Sequence, residues 1–320
     1  IDLNTIYVNI GALYKEMGQK EESLKYYQKA INEKPELASI YLKLGKLYRT
    51  TNNINKALET LIKAQQSNPS LPEVYVEIGN CYLAKDNFNK AMEYFNRALN
   101  INKNYIDAYL QIASAYLKKQ QIDRATEIYK KILELDPDNF AASINLANTY
   151  MKKDQVDKAI DIYLNVLINN PDDVIAFYNL GLAHLRKGDY NNAMEYFEKI
   201  LKIEPNNEKA FFNIAKIYQA NNNIEKTIEY LEKCIDINPD FENAYYELGL
   251  IYLGIQYYDK AIAAFDKVTQ LSPQKDDGYY YLGVAFGKKN NEAMKAEYFK
   301  EAAARGNQSA YKWLKENGYV

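Results

Sequence analysis

The sequence predicts an all-α solenoid of about nine 34-residue helix-turn-helix units, closed by one more helix at the C-terminal end. Three observations predict it. Pro35, Pro69, Pro137, Pro171, Pro205, Pro239 and Pro273 lie on one 34-residue grid, whose single empty point is Lys103. Small and bulky side chains keep the same beat between the prolines. Midway through most units stands a residue that tolerates left-handed backbone, the mark of a tight turn between two helices.

The units begin near residues 4, 38, 72, 106, 140, 174, 208, 242 and 276, so that the array spans 4–307 and a capping helix and tail occupy 309–320. A unit this size cannot bury its own apolar face and must stack on its neighbour. Within each first helix a small residue recurs at Gly11, Gly45, Gly79, Ala113, Ala147, Gly181, Ala215, Gly249 and Gly283, followed three later by Tyr in seven units, His184 in one and Phe286 in the last. The turn follows at Gly18, Asn52, Asp86, Asp154, Gly188, Asn222 and Asn290. The second helix carries Ser23, Ala57, Ala91, Ala125, Ala159, Ala193, Thr227 and Ala261, then a large residue such as Tyr27, Leu61, Phe95 or Phe197. Small opposite large lets two antiparallel helices approach and interlock. Proline ends the second helix because it lacks an N–H and drives its predecessor out of helical geometry.

This order of small residues, large aromatics and closing proline resembles the tetratricopeptide repeat family, over roughly residues 4 to 307. The resemblance implies a right-handed superhelical solenoid whose concave groove is lined by the first helices. The ninth unit departs from the pattern, with Lys295 for a small residue, Arg305 for an apolar one and Asn307 for proline, as expected of a polar terminal repeat. Trp313 and Leu314 are expected to face inward from the capping helix. Ile1 falls on the proline grid and no comparable cap precedes it, so further sequence, a removed leader or another domain is expected upstream.

The net charge of −2 offers no electrostatic footprint for nucleic acid, and no stretch approaches the ~20 apolar residues of a membrane span. Cys81 and Cys234 stand four units apart, too far for a disulfide, and read as packing residues. The single histidine, His184, takes a position that is Tyr in other units and reads as a packed ring. With one histidine and two separated cysteines there is no metal-ligand spacing. The stretch from Gly283 to Lys288 lacks the length and the Ser or Thr of a phosphate loop, and the Asn307-Gln308-Ser309 triplet is a sequon by spelling only. No catalytic, cofactor or metal site is expected.

Function is therefore sought on a surface. Helical spacing places one apolar row of the groove at Val8, Leu42, Val76, Leu110, Ile144, Tyr178, Phe212, Tyr246 and Tyr280, aromatic toward the C-terminal half. Beside it runs a polar row in which Asn145, Asn179 and Asn213 stand one unit apart, each able to donate to and accept from a peptide backbone. The three resemble the asparagine ladder of a glycosyltransferase member of the family. Asn148, Asn179 and Lys209 also fall on positions of the clamp with which some members hold a C-terminal carboxylate, but Ile144 and Asn213 stand where cations are needed, and no clamp is expected. Lys43, Lys46 and Arg49, and further along Lys152, Arg186, Lys209 and Lys216, make the groove relatively basic. The expected function is a non-enzymatic protein-interaction scaffold that binds an extended or helical peptide with apolar and acidic residues. The alternatives are a substrate-recruiting repeat domain of a larger enzyme such as a glycosyltransferase, and a self-associating array. The oligomeric state is left open between monomer and weak self-association. The sequence names no compartment; a cytoplasmic one is the first expectation, a processed extracytoplasmic one the second.

Overall fold

The computed structural model describes residues 2–319, and all the regular elements among them are α-helices. They fall into two compact units, Ile1–Ile162 and Tyr163–Val320. The first holds α1 (Leu3–Glu16), α2 (Lys20–Glu33), α3 (Ala38–Thr50), α4 (Ile54–Ser67), α5 (Pro72–Ala84), α6 (Phe88–Ile101), α7 (Ile106–Lys118), α8 (Ile122–Leu135) and α9 (Phe140–Lys152). The division falls within α10 (Val156–Asn169). The second holds α11 (Val174–Arg186), α12 (Tyr190–Ile203), α13 (Glu208–Ala220), α14 (Ile224–Ile237), α15 (Glu242–Gly254), α16 (Tyr258–Leu271), α17 (Asp277–Lys288), α18 (Glu292–Ala304) and α19 (Gln308–Glu316). In each unit odd-numbered helices pack on the even-numbered helix that follows, and that helix packs on the next odd one.

The close approach of paired helices rests on missing methyl groups. A Cβ on Gly79 would lie 2.4 Å from the Phe95 ring, and one on Gly181, Gly249 or Gly283 would lie 2.4–2.6 Å from Phe197, Phe265 or Phe299. Those rings are themselves buried, so they cannot swing aside. Where alanine takes the glycine's place, at Ala113 and Ala215, the residue sixteen further on in the same core cluster is Tyr129 or Leu231 rather than Phe.

The turns use left-handed backbone at every expected position, from Asn52 (φ 62°) to Asn290 (φ 59°), and also at Gln120 (φ 59°) and Gln256 (φ 65°). That geometry lets the next N–H reach back to the helix, as in Asn53 N–H to the Tyr48 carbonyl at 2.8 Å and Gln121 N–H to the Tyr116 carbonyl at 2.9 Å. Between the end of a second helix and its proline stands a residue that has left helical geometry, extended at Asn68 (φ −147°, ψ 95°) and Asn238 (φ −127°, ψ 91°). Asn102, which precedes Lys103, takes the same geometry (φ −134°, ψ 103°), so proline reinforces this stop and is not required for it. First helices open on side-chain caps where the sequence supplies them: Asn139, Asp173 and Asn207 each accept from the N–H three residues on.

The three departures in the ninth repeat each do something specific. Lys295 lies along Gly287 and holds its ammonium 4.3 Å over the Trp313 ring. The Arg305 guanidinium covers Tyr279 at 3.8 Å and donates to the Pro273 carbonyl at 2.8 Å. Asn307 caps α19 through the Ala310 N–H and donates to Asp276 at 2.8 Å. Leu314 is buried, and Trp313 is half-buried with its ring edge-on to Phe299. No described helix is long and apolar enough to cross a membrane.

Side-chain hydrogen bonds from Lys118, Asn192, Lys199 and Lys233 hold the carboxyls of Asp86, Asp189, Glu195 and Glu229 below their ordinary values of 3.8 and 4.5. Their contribution to stability is present above those values and is lost as pH falls through the depressed ones. Burial pushes the Tyr129 and Tyr163 hydroxyls above their ordinary 10, a contribution lost as pH rises beyond it. Melting temperature, followed by circular dichroism, is expected to stay level from roughly pH 5 to roughly pH 9 and fall on both sides. A steep change near neutrality would contradict this.

Candidate functional site

The odd-numbered helices point one stripe at their even-numbered partner and a second stripe away from it. In the first unit the second stripe is more closed than the sequence implied: Leu42, Val76 and Ile144 are buried and Leu110 half-buried. Successive odd helices touch, α3 with α5 and α5 with α7, and Leu42 and Val76 pack within the clusters that these helices share with α4 and α6. In the second unit Tyr178, Phe212, Tyr246 and Tyr280 are half-buried, each braced by another ring. Tyr178 meets Phe197 edge-on at 6.0 Å and Phe212 meets Phe241 at 5.3 Å, while Tyr280 stacks on Phe299 at 5.4 Å. Tyr246 sits edge-on between Phe265 and Tyr281. Braced rings with one face left to solvent lose little entropy when something packs on them.

The three asparagines of the polar row differ. Asn145 and Asn179 are half-buried and have no hydrogen-bond partner among the described residues. Asn213 is 8% exposed; its amide donates to the Lys209 carbonyl one turn back at 2.8 Å and lies 3.5 Å from the Tyr178 hydroxyl. Its N–H groups thus serve α13 and the neighbouring ring. Asn148 is half-buried on α9, and Lys152 and Arg186 lie exposed at the ends of α9 and α11.

Charge on this face is largely settled inside the chain. Glu77, buried on α5, accepts from Arg49 of α3 at 2.8 Å and lies 3.8 Å from Lys46, which also pairs with Glu73. Glu247 on α15 repeats the arrangement, accepting from Lys216 at 3.0 Å and Gln219 at 3.2 Å. Both pairs join a lysine to a glutamate 31 residues on, one repeat away across adjacent odd helices, a spacing readable in the sequence. Lys216, one of the groove lysines, is thus ion-paired within the chain. Lys118 pairs with Asp86 at 3.0 Å. Lys15, Lys43, Lys152 and Lys209 have no ion-pair partner among the described residues.

Sequence reasoning missed one concavity of about 420 Å³ in the first unit, floored by Ala12, Tyr27 and Leu42 and rimmed by Lys15, Glu16, Ser39, Lys43, Lys46 and Glu73. Its signal was the cluster of lysines beside small Ala12 and Ser39.

The residues with chemical potential elsewhere are engaged structurally. The His184 ring stacks on Tyr196 at 5.5 Å, with Nδ1 3.0 Å from Asp189, which caps α12. Cys81 and Cys234 are free and buried, and burial pushes their thiols up to about 11 and about 12, so neither is a nucleophile at neutral pH. Among the described residues no group of His, Cys, Asp and Glu is placed to hold a metal.

Paired helices stacked at a fixed 34-residue period, with polar and aromatic side chains on the odd-helix face, define a helical-repeat scaffold. The chain belongs to the tetratricopeptide repeat family: the family's profiles match residues 11–52, 38–71, 72–105, 116–182 and 246–310, most of the sequence taken together. A profile of subunit 3 of the anaphase-promoting complex (cyclosome) matches residues 170–268. Among solved structures, a tetratricopeptide repeat protein from Parabacteroides merdae is similar at 20% identity, with a TM-score of 0.57 over 76% of this chain and 97% of its own. The APC/C hetero-tetramer Cut9–Hcn1 gives 16% identity and a TM-score of 0.56 over 83% of this chain and 52% of the other. MamA gives 26% identity and a TM-score of 0.46 over 53% of this chain and 93% of its own. No curated protein matches the sequence.

Proposed function

We propose that the chain is a non-enzymatic interaction scaffold that binds an extended or helical peptide along the odd-helix face, with apolar side chains taken by aromatic steps and acidic ones by lysines. The observation that carries this reading is the set of braced, half-open rings Tyr178, Phe212, Tyr246 and Tyr280 beside the unpartnered amide of Asn179. A half-buried amide without a partner is a group that gains from meeting a peptide backbone. Lys209 supplies charge at the rim, with Arg186 at the end of α11. In the first unit Asn145 plays the part of Asn179, flanked by Ile144, Asn148 and Lys152. Asn213 and Lys216 act from behind, fixing Tyr178 and Glu247 in place.

The test is a selection from a random peptide library on the whole chain, followed by anisotropy titration. Selected peptides are expected to combine aromatic or aliphatic residues with Asp or Glu. They are expected to bind the Tyr178→Ala, Asn179→Ala, Phe212→Ala variant at least tenfold more weakly while its helicity is unchanged, since a few aromatic anchors dominate such surfaces. Equal binding by both proteins would reject the site.

A further inference from the structure

The turn that joins α15 to α16 departs from its counterparts at three positions. Residue 254 is Gly where Lys118, Lys152, Arg186 and Lys288 stand in other units, 255 is Ile where five units have Lys, and 257 is Tyr where the other eight have Asn, Gln or Asp. Two of the three do nothing for the fold. A Cβ on Gly254 would meet nothing within 4 Å, so no close approach calls for glycine, and alanine is the better helix former. Tyr257 gives α16 no side-chain cap, whereas Asn87, Asp189, Asn223 and Asn291 at the same place each cap their helix. Its ring is instead 58% exposed.

Together these residues leave an apolar notch beside an unpaired carboxylate. Ile224, Thr227, Ile251, Gly254 and Ile255 line a concavity of about 350 Å³ between the ends of α13 and α15 and the start of α14, with Ile224 49% exposed. In other units the lysine at the place of Ile255 reaches back thirty positions: Lys85 to Asn55 at 3.1 Å, Lys153 to Asp123 at 2.6 Å, and Lys289 to Asp259. Ile255 packs partly on the core cluster and cannot do so. The acid thirty positions before it, Glu225, is exposed and has no ion-pair partner among the described residues. Lys226 beside it lies over the Tyr218 ring at 4.9 Å. The C-terminal carbonyls of α13 and α15 add partial negative charge at the same place.

We propose that this notch is a docking site, separate from the peptide face, for a segment of a partner protein that carries an aliphatic side chain beside a lysine or arginine. The aliphatic chain fills the notch and leaves water, and the exposed Tyr257 extends the apolar surface of the turn. The cation takes the place at Glu225 that the lysine of the following turn holds in other units. Glu225 and the two helix ends repel the acidic segments that the peptide face takes, so the two surfaces select partners of opposite charge.

The probe is a random peptide library selected on the whole chain carrying Tyr178→Ala, Asn179→Ala and Phe212→Ala, so that binders of the peptide face are removed; selected peptides are then titrated by anisotropy. They are expected to combine Leu, Ile or Val with Lys or Arg and to bind the unaltered chain equally well. The Gly254→Lys, Ile255→Lys, Tyr257→Asn variant writes the turn that other units use, and it is expected to keep its helicity and melting temperature while binding weakens by roughly tenfold or more. Glu225→Gln is expected to weaken binding less and to flatten its salt dependence. Failure to select any peptide, binding that the turn variant retains, or a selection dominated by acidic peptides overturns the proposal. Light scattering is the second arm: a concentration-dependent dimer of the unaltered chain that the turn variant abolishes would make a second copy the occupant and overturn the assignment to a basic partner segment.

Discussion

Gly79→Ala is expected to destabilise the chain by up to about 2 kcal/mol, although alanine is the better helix former. The helix gains about 1 kcal/mol from the lost flexibility of glycine. Against that, the new methyl would sit 2.4 Å from the buried Phe95 ring, and overpacking of this kind costs about 1–3 kcal/mol. Gly254→Ala separates the two effects, since a Cβ there meets nothing within 4 Å and only the helix gain remains. The urea midpoint should fall for the first variant and rise for the second. The chain also indicates a rescue: Ala215 stands opposite Leu231, so Phe95→Leu should cost less in the Gly79→Ala background than alone. If Gly79→Ala stabilised the protein, close packing of helix pairs would not be what selects glycine.

The second large effect is expected at Glu77. Glu77→Ala leaves Arg49 and Lys46, each about a third exposed, facing one another without their shared carboxylate. Removal of one member of a fully buried pair costs about 3–5 kcal/mol; partial exposure of the cations reduces the expected loss here to about 2 kcal/mol. Glu73→Ala, at a more exposed carboxylate, should change stability by less than about 0.5 kcal/mol. Because the lost charge faces the same side as the peptide surface, Glu77→Ala should also tighten acidic peptides in the first unit and steepen their salt dependence. A Glu77→Ala variant as stable as Glu73→Ala would mean that the buried network is decorative.

The helices were legible in the sequence because each boundary is written by a residue with few backbone choices. Proline and its extended predecessor end the second helices, and Gly, Asn or Asp takes the left-handed turn. Gln120 and Gln256 escaped because glutamine has no preference for that conformation; the turn is imposed there by two helices that must pair. The small-to-large rule at Gly79 and Phe95 was legible for the same reason, since a missing Cβ has one use in a helix. The candidate surface was less so. Helical spacing identified which side chains share a face, but not which of them the next repeat would cover or neutralise. Leu42 is closed by α4 and α5, Asn213 is engaged by its own helix, and Lys216 by a glutamate one repeat away.

The central claim is that a partner lies on the odd-helix face of the second unit. The most direct measurement is photocrosslinking of a library-selected peptide to Phe212→p-benzoylphenylalanine on α13 and, separately, to Tyr190→p-benzoylphenylalanine at the exposed start of α12. The account predicts an adduct at position 212 that unlabelled peptide competes away, and none at position 190. Equal adducts at both positions, or an adduct at 190 alone, would contradict it.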